Sequence, residues 1–143
     1  MTQSENAKGS CLCGAVSLEI EDLDNHLGAC HCHMCRKWGG GPLMALVGSK
    51  VSIKGEKAIK VFDSSAWAER GFCRECGTHL FYRIKETQQY HIPVGLLEKE
   101  SNIDFNLQVF IDEKPSYYDF ANQTEIMTGT EVFAKYAPDT EAT

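Results

Sequence analysis

The 143-residue chain has no apolar run near the roughly eighteen residues that a membrane-spanning helix requires, so no bilayer-crossing segment is expected. Its opening residues, MTQSENAKGS, contain no apolar core of the kind a secretion signal carries. A reducing, cytoplasmic setting is therefore expected, where neighbouring cysteines more often hold metal than form structural disulfides. The 7 cysteines, an odd count, also cannot complete a disulfide framework. Basic charge is scarce: 14 Lys and Arg stand against 20 Asp and Glu, for a formal charge of −6. Sequence-independent nucleic-acid binding needs basic side chains to neutralise phosphates, so no nucleic-acid partner is expected. The C-x-x-C paired with H-x-x-x-H of a DNA-binding finger is missing as well. Internal repeats, low-complexity tracts and linkers are absent too. A single domain is expected over 9–137, between a flexible arm at 1–8 and a flexible tail at 138–143.

Against these absences stands one dense stretch, Cys30-His31-Cys32-His33-Met34-Cys35. Free cysteine packs as a small hydrophobe, and a core scatters such residues instead of clustering them beside two histidines. A C-x-C-x-x-C run lets one short loop aim three sulfurs at one point and leaves a tetrahedral position open. Cys11 and Cys13, and then Cys73 and Cys76, form two further close pairs. The cysteines thus divide as four plus three, which suggests one closed metal site and one open one. A partition of Cys11, Cys13, Cys30 and Cys32 against Cys35, Cys73 and Cys76 uses the same count. Cys73-Arg74-Glu75-Cys76-Gly77 has the form of a zinc knuckle, its glycine permitting the tight turn. A redox dithiol would want a thiol at a helix start within a βαβ pattern, and none surrounds it.

Elsewhere the pattern is one of short strands. Val16, Leu18 and Ile20 alternate with polar residues, and the same period of two recurs at Val51 and Ile53, at Ile59 and Val61, and over 78–82. If strand geometry extends back to Cys11 and Cys13, their sulfurs leave one face. Residues 22–25 read as a turn, 32–38 as a helical turn ended by glycines, 43–47, 90–94 and 107–111 as strands. Gly39-Gly40-Gly41 lacks the Gly-Lys-Ser/Thr continuation of a phosphate loop and reads as a turn. Residues 116–120 form an aromatic cluster expected to cover one end of the core. Helical periodicity is poor throughout. The fold class that follows is all-β, built on antiparallel sheets with few short helices.

The order of motifs resembles a known family. Gly9-Ser10-Cys11-Leu12-Cys13-Gly14-Ala15-Val16, Cys30-His31-Cys32-His33-Met34-Cys35-Arg36-Lys37 and Arg70-Gly71-Phe72-Cys73-Arg74-Glu75-Cys76-Gly77 are similar to segments of the glutathione-dependent formaldehyde-activating enzymes. That family includes the centromere protein V-like proteins. The resemblance continues through Gly95-Leu96-Leu97 and Phe110-Ile111-Asp112-Glu113-Lys114-Pro115, where Tyr117 takes a region often occupied by tryptophan. It implies curled antiparallel sheets of the Mss4-like β-tent type. It also implies a structural zinc on Cys11, Cys13, Cys73 and Cys76, and a second zinc on Cys30, Cys32 and Cys35. With three protein ligands in place of four, the second site is expected to bind more weakly and to be only partly filled.

The activity implied is that of a carbon–sulfur lyase that condenses glutathione, as co-substrate, with formaldehyde to give S-hydroxymethylglutathione. His31 or His33 is the expected proton carrier. Arg36 and Lys37, or Arg70 and Arg74, are expected to meet glutathione's carboxylates or to offset thiolate charge. Two other readings stay open. One is the same zinc site acting on another thiol or carbon–sulfur substrate; the other is a non-enzymatic zinc module that binds a protein partner.

Overall fold

The computed structural model describes residues 4–99 and 102–136. Residues 1–3 of the expected arm and the whole expected tail lie outside the described residues. In chain order the strands are β1 (Ser4–Ser10), β2 (Ser17–Asp24), β3 (His26–Cys30), β4 (Leu43–Gly48), β5 (Lys50–Lys54) and β6 (Ile59–Phe62). They continue with β7 (Ala68–Cys73), β8 (His79–Ile84), β9 (Tyr90–Pro93), β10 (Asp104–Val109) and β11 (Glu125–Met127). Two α-helices, α1 (His33–Gly39) and α2 (Gly129–Tyr136), span 7 and 8 residues. The fold is all-β with few short helices, and no helix among the described residues is long and apolar enough to cross a membrane. The chain separates into two compact units, one from residues 4–25 and 45–103, the other from 26–44 and 104–136.

In the first unit, β1, β2 and β5 make a three-stranded antiparallel sheet in the order β1-β2-β5. Val16, Leu18 and Ile20 turn inward and are buried, while Glu19 and Glu21 face solvent, the alternation a one-sided sheet requires. Two features depart from the sequence reading. β1 takes in residues 4–8 of the expected arm; it has no apolar stripe and forms by main-chain pairing, with Ala7 opposite Ile20 and Gly9 opposite Leu18. The turn expected at 22–25 is instead the end of β2. Asp22 adopts φ +53°, which a short polar side chain tolerates, and the register skips between Glu5 and Ala7.

The rest of this unit runs β4-β9-β8-β7-β6, each neighbouring pair antiparallel. Leu46, Ala68, Leu80, Phe81 and Ile92 are its buried core. The Phe81 ring lies directly against Gly71, where an added Cβ would stand 2.3 Å from Phe81 Cζ. Phe81 is 1% exposed and has nowhere to swing. Gly71→Ala is therefore expected to lose about 1–3 kcal/mol, the usual cost of overpacking a closed core. Urea denaturation would measure it, and an unchanged midpoint would show that the ring can yield.

The second unit contains β3, β10 and β11 in the order β11-β10-β3. Both pairings are parallel, with Gln108 opposite Ala29 and Ile126. The sequence reading expected antiparallel neighbours. Period-two alternation reports which face is buried and carries no information on strand direction, and parallel pairing needs only a long connection. α2 was also hidden from periodicity, yet it opens on a reciprocal capping box. The Thr128 amide donates to Glu131 Oε1 at 2.7 Å, and the Glu131 amide donates to Thr128 Oγ1 at 3.2 Å. Phe133 then meets Phe110 edge-on, with ring centroids 5.7 Å apart.

Candidate metal centres

Each cysteine cluster closes within one unit. Cys11, Cys13, Cys73 and Cys76 belong to the first, and their sulfurs all lie within 4.8 Å of one another. Cys11 Sγ is 3.7 Å from Cys13 Sγ, and Cys13 Sγ is 3.8 Å from Cys73 Sγ. A disulfide would bring sulfurs to about 2.05 Å. Four thiolates about 2.3 Å from a tetrahedral ion stand about 3.8 Å apart, so the donor set fits a metal closely.

Local structure explains the convergence. Residues 11–16 do not continue the strand back, as the sequence reading supposed. They fold as a turn in which the Cys11 amide donates to Val16 O at 3.0 Å and the Gly14 amide to Cys11 O at 3.1 Å. This turn aims the Val16 amide at Cys11 Sγ, 3.3 Å away. The second pair sits on a matching turn after β7, with the Gly77 amide donating to Cys73 O at 2.7 Å and the Cys73 amide to Thr78 O at 2.9 Å. Thr78 ties the two turns together. Its Oγ1 accepts from the Leu12 amide at 3.1 Å and lies 3.1 Å from Cys76 Sγ. Hydrogen bonding from the Thr78 side chain and amide holds the Cys76 thiol down at about 5, in the range where it is a thiolate at neutral pH.

The second cluster, Cys30, Cys32 and Cys35, likewise gathers its sulfurs within 4.8 Å. Cys30 ends β3, and Cys32 is the extended N-cap of α1 at φ −63°, ψ 154°. Side chains two apart on an extended backbone leave the same side, so this pair points one way and His31 the other. One helical turn then brings in Cys35, whose amide donates to Cys32 Sγ at 3.3 Å. Glu113 Oε1 accepts from the His33 amide at 2.8 Å and satisfies the helix start. Gly40, at φ +86°, ends the helix. Hydrogen bonding with the neighbouring Cys32 and Cys35 sulfurs, followed by burial and by repulsion between crowded thiolates, pushes the Cys30 thiol far up. A bound cation inverts that relation and makes the triple thiolate the stable form. Cys30, Cys32 and Cys35 would supply three ligands to such an ion, one fewer than a closed thiolate site offers.

The other residues named from sequence fall as follows. His33 and Lys37 are exposed on α1. Arg36 is half-buried, its Nε donating to His31 O at 2.9 Å. Arg70 is 3% exposed and its guanidinium lies 4.9 Å from the centre of the Tyr82 ring. Arg74 reaches the Ile59 carbonyl at 3.4 Å. His31 is fully buried and burial lowers its pKa, favouring the neutral imidazole. Its Nδ1 is 2.6 Å from the Tyr118 hydroxyl and its Nε2 is 2.8 Å from Gln108 Oε1. Gln108, Tyr118, Thr78 and Glu113 escaped the sequence reading. All four are common polar or aromatic types; Gln108, Tyr118 and Glu113 are remote in sequence from the thiols, and Thr78, two residues from Cys76, carries no mark of its role in the spacing.

The chain is similar to known proteins. The family model of the glutathione-dependent formaldehyde-activating enzymes matches residues 6–113. A protein of Schizosaccharomyces pombe named as an uncharacterized lyase is 39% identical over 127 residues, covering 87% of this chain and 93% of its own length. A putative glutathione-dependent formaldehyde-activating enzyme of Podospora anserina is 36% identical over 89 residues, 57% of this chain but 41% of that protein. The crystal structure of a Rhodobacter sphaeroides protein superimposes with a TM-score of 0.57 at 26% identity, covering 69% of this chain and 99% of that one. The family match runs through all seven of the cysteines that the fold gathers, and by it the chain belongs to the glutathione-dependent formaldehyde-activating enzyme family.

Proposed function

We propose that this chain is a zinc-dependent carbon–sulfur lyase that joins glutathione to formaldehyde, and that the three-thiol cluster is its reaction centre. The observation that carries the reading is the pairing of a four-thiol set, complete in itself, with a three-thiol set one ligand short. Cys11, Cys13, Cys73 and Cys76 would hold a structural ion, and Cys30, Cys32 and Cys35 a second one. Cys30, Cys32 and Cys35 would hold the second ion as a Lewis acid, whose chemistry when bound would be to make a substrate thiol far more acidic.

In the reaction a carbon–sulfur bond forms, the carbonyl electron pair moves to oxygen, and the proton lost from the thiol ends on that oxygen. His33, exposed beside Cys32, is the residue we assign to carry that proton, since both ring nitrogens of His31 are engaged inside the unit. Arg36 and Lys37 follow Cys35 directly on α1 and are assigned to glutathione's carboxylates. Glu113 keeps the start of the helix, and hence Cys35, in place.

Calorimetric titration of glutathione into zinc-loaded protein, in two buffers of different ionisation enthalpy, tests the proposal. Binding is expected to release a proton and to weaken as pH falls, because the thiol must ionise to bind. Cys32→Ser should abolish the binding and leave the structural ion in place. Binding without proton release, or binding undiminished in Cys32→Ser, would reject thiolate ligation here. A zinc-loaded protein that ignores glutathione would remove it as the substrate.

A further inference from the structure

The family match stops at Glu113, yet the chain continues and returns to the three-thiol centre. Lys114 fixes the return. Its ammonium donates to Pro115 O at 3.0 Å and to Tyr118 O, pairs with Asp119 Oδ1 at 2.7 Å, and lies 5.2 Å from the centre of the Tyr118 ring. The turn so stapled carries the Tyr118 hydroxyl to His31 Nδ1. Beyond it, Thr124 Oγ1 accepts from Gln108 Nε2 at 2.9 Å.

The direction of the hydrogen bonds follows from the orientation of the Gln108 amide, with Nε2 on Thr124 and Oε1 on His31. Gln108 Nε2 donates to Thr124, which leaves Gln108 Oε1 facing His31 Nε2 as a pure acceptor. His31 Nε2 must then carry the proton, so Nδ1 is the acceptor and the Tyr118 O–H donates to it. The backbone of His31 is held as well: its amide donates to Val109 O at 3.1 Å, and its carbonyl accepts from Arg36 Nε at 2.9 Å. Every polar atom of the residue between Cys30 and Cys32 is thereby committed. Fixing His31 on the buried side fixes the direction in which its two neighbours present their sulfurs.

We propose that Tyr118 and His31 are positioning residues for the three-thiol centre, and that the relay Tyr118–His31–Gln108–Thr124 lets the segment that follows Glu113 set how tightly that centre holds its metal. The inference rests on the reading of Cys30, Cys32 and Cys35 as a metal site. It makes no claim about substrate. Hydrogen-bonded partners one step removed from the ligands typically change metal affinity about 10–100-fold when lost, and the second site has no fourth cysteine to compensate.

The test uses the full chain with zinc in competition with a chromophoric chelator, and cobalt(II) as a coloured substitute. Wild-type protein is expected to take up two equivalents. In Tyr118→Phe the tighter equivalent should be unchanged, the weaker one should lose about tenfold or more in affinity, and its cobalt–thiolate absorption should shift. Thr124→Val, which deprives Gln108 of its acceptor, should give a smaller loss of the same kind. Nitrogen-15 NMR of the zinc-loaded wild type should find the His31 proton on Nε2. Equal weak-site affinity in Tyr118→Phe and wild type would overturn the relay, as would a proton found on Nδ1. A wild type that takes up a single equivalent would instead overturn the metal reading of the cluster itself, so the two failures are distinguishable.

Discussion

Cys76→Ala is expected to lose one of two metal equivalents and to unfold the first unit. Cys76 stands on the turn after β7, Cys11 and Cys13 on the turn before β2, and beside the hydrogen bond from the Leu12 amide to Thr78 their sulfurs link those turns. Structural zinc in small domains contributes an apparent ~10–16 kcal/mol at neutral pH. Whole domains are stable by only about 5–15 kcal/mol. Losing one of four ligands and the charge it carries forfeits much of the first figure, which is enough to exhaust the second. The expected result is a chain with no cooperative melting transition, not restored by excess zinc. Cys32→Ser is the matched control, removing a thiol from the open cluster while leaving the first unit's transition intact. A Cys76→Ala protein with full metal content and an unchanged melting temperature would refute the structural role.

Gly55→Ala is expected to be the most damaging change that touches no metal ligand. Gly55 adopts φ +88°, and a Cβ there would lie 1.9 Å from the carbonyl oxygen of Ala15 and 3.3 Å from the Cα of Val16. The obstacle is backbone, and it belongs to the turn that presents Cys11 and Cys13. The left-handed conformation costs a non-glycine residue roughly 1–2 kcal/mol. Displacing packed main chain adds about 1–3 kcal/mol more. A total near 3 kcal/mol corresponds to a fall in melting temperature of roughly 10 °C for a chain of this size. Gly40→Ala separates the two contributions, since Gly40 has φ +86° with nothing within 4 Å of the added carbon. Its loss should stay near the conformational part alone. Equal losses in the two variants would show that the contact with Ala15 relaxes freely.

Much of this was legible in the residues. The strand with a buried and an exposed face at 16–20 announces itself because solvent sorts side chains with a period of two, whereas over 78–82 the neighbours Leu80 and Phe81 are both buried. α1 showed itself through its glycine stop. What stayed hidden lacked that sorting. β1 carries no large apolar side chain and exists because β2 offers it a row of unpaired main-chain groups. β11 is three residues long, too short for a period to register. α2 is declared by its capping box instead of by an apolar stripe.

By itself the sequence determined that seven thiols, spaced as C-x-C, C-x-C-x-x-C and C-x-x-C-G, sit in a chain of short strands, and that at least one group is a ligand short. Spacing constrains what a local loop can do, so the chemistry of a triple thiol in six residues needs no partner to be visible. Which distant pair joins which is a long-range matter, and two partitions of the cysteines satisfied the same count. Tertiary structure decided it, by folding the turns at 11–16 and 73–78 onto Thr78 and leaving Cys30, Cys32 and Cys35 to themselves. It also turned His31 inward to Tyr118 and Gln108, 87 and 77 residues away. An extended backbone sends alternate side chains to opposite sides, so the geometry that gathers Cys30 and Cys32 buries the histidine between them, and only the fold supplies what it meets there.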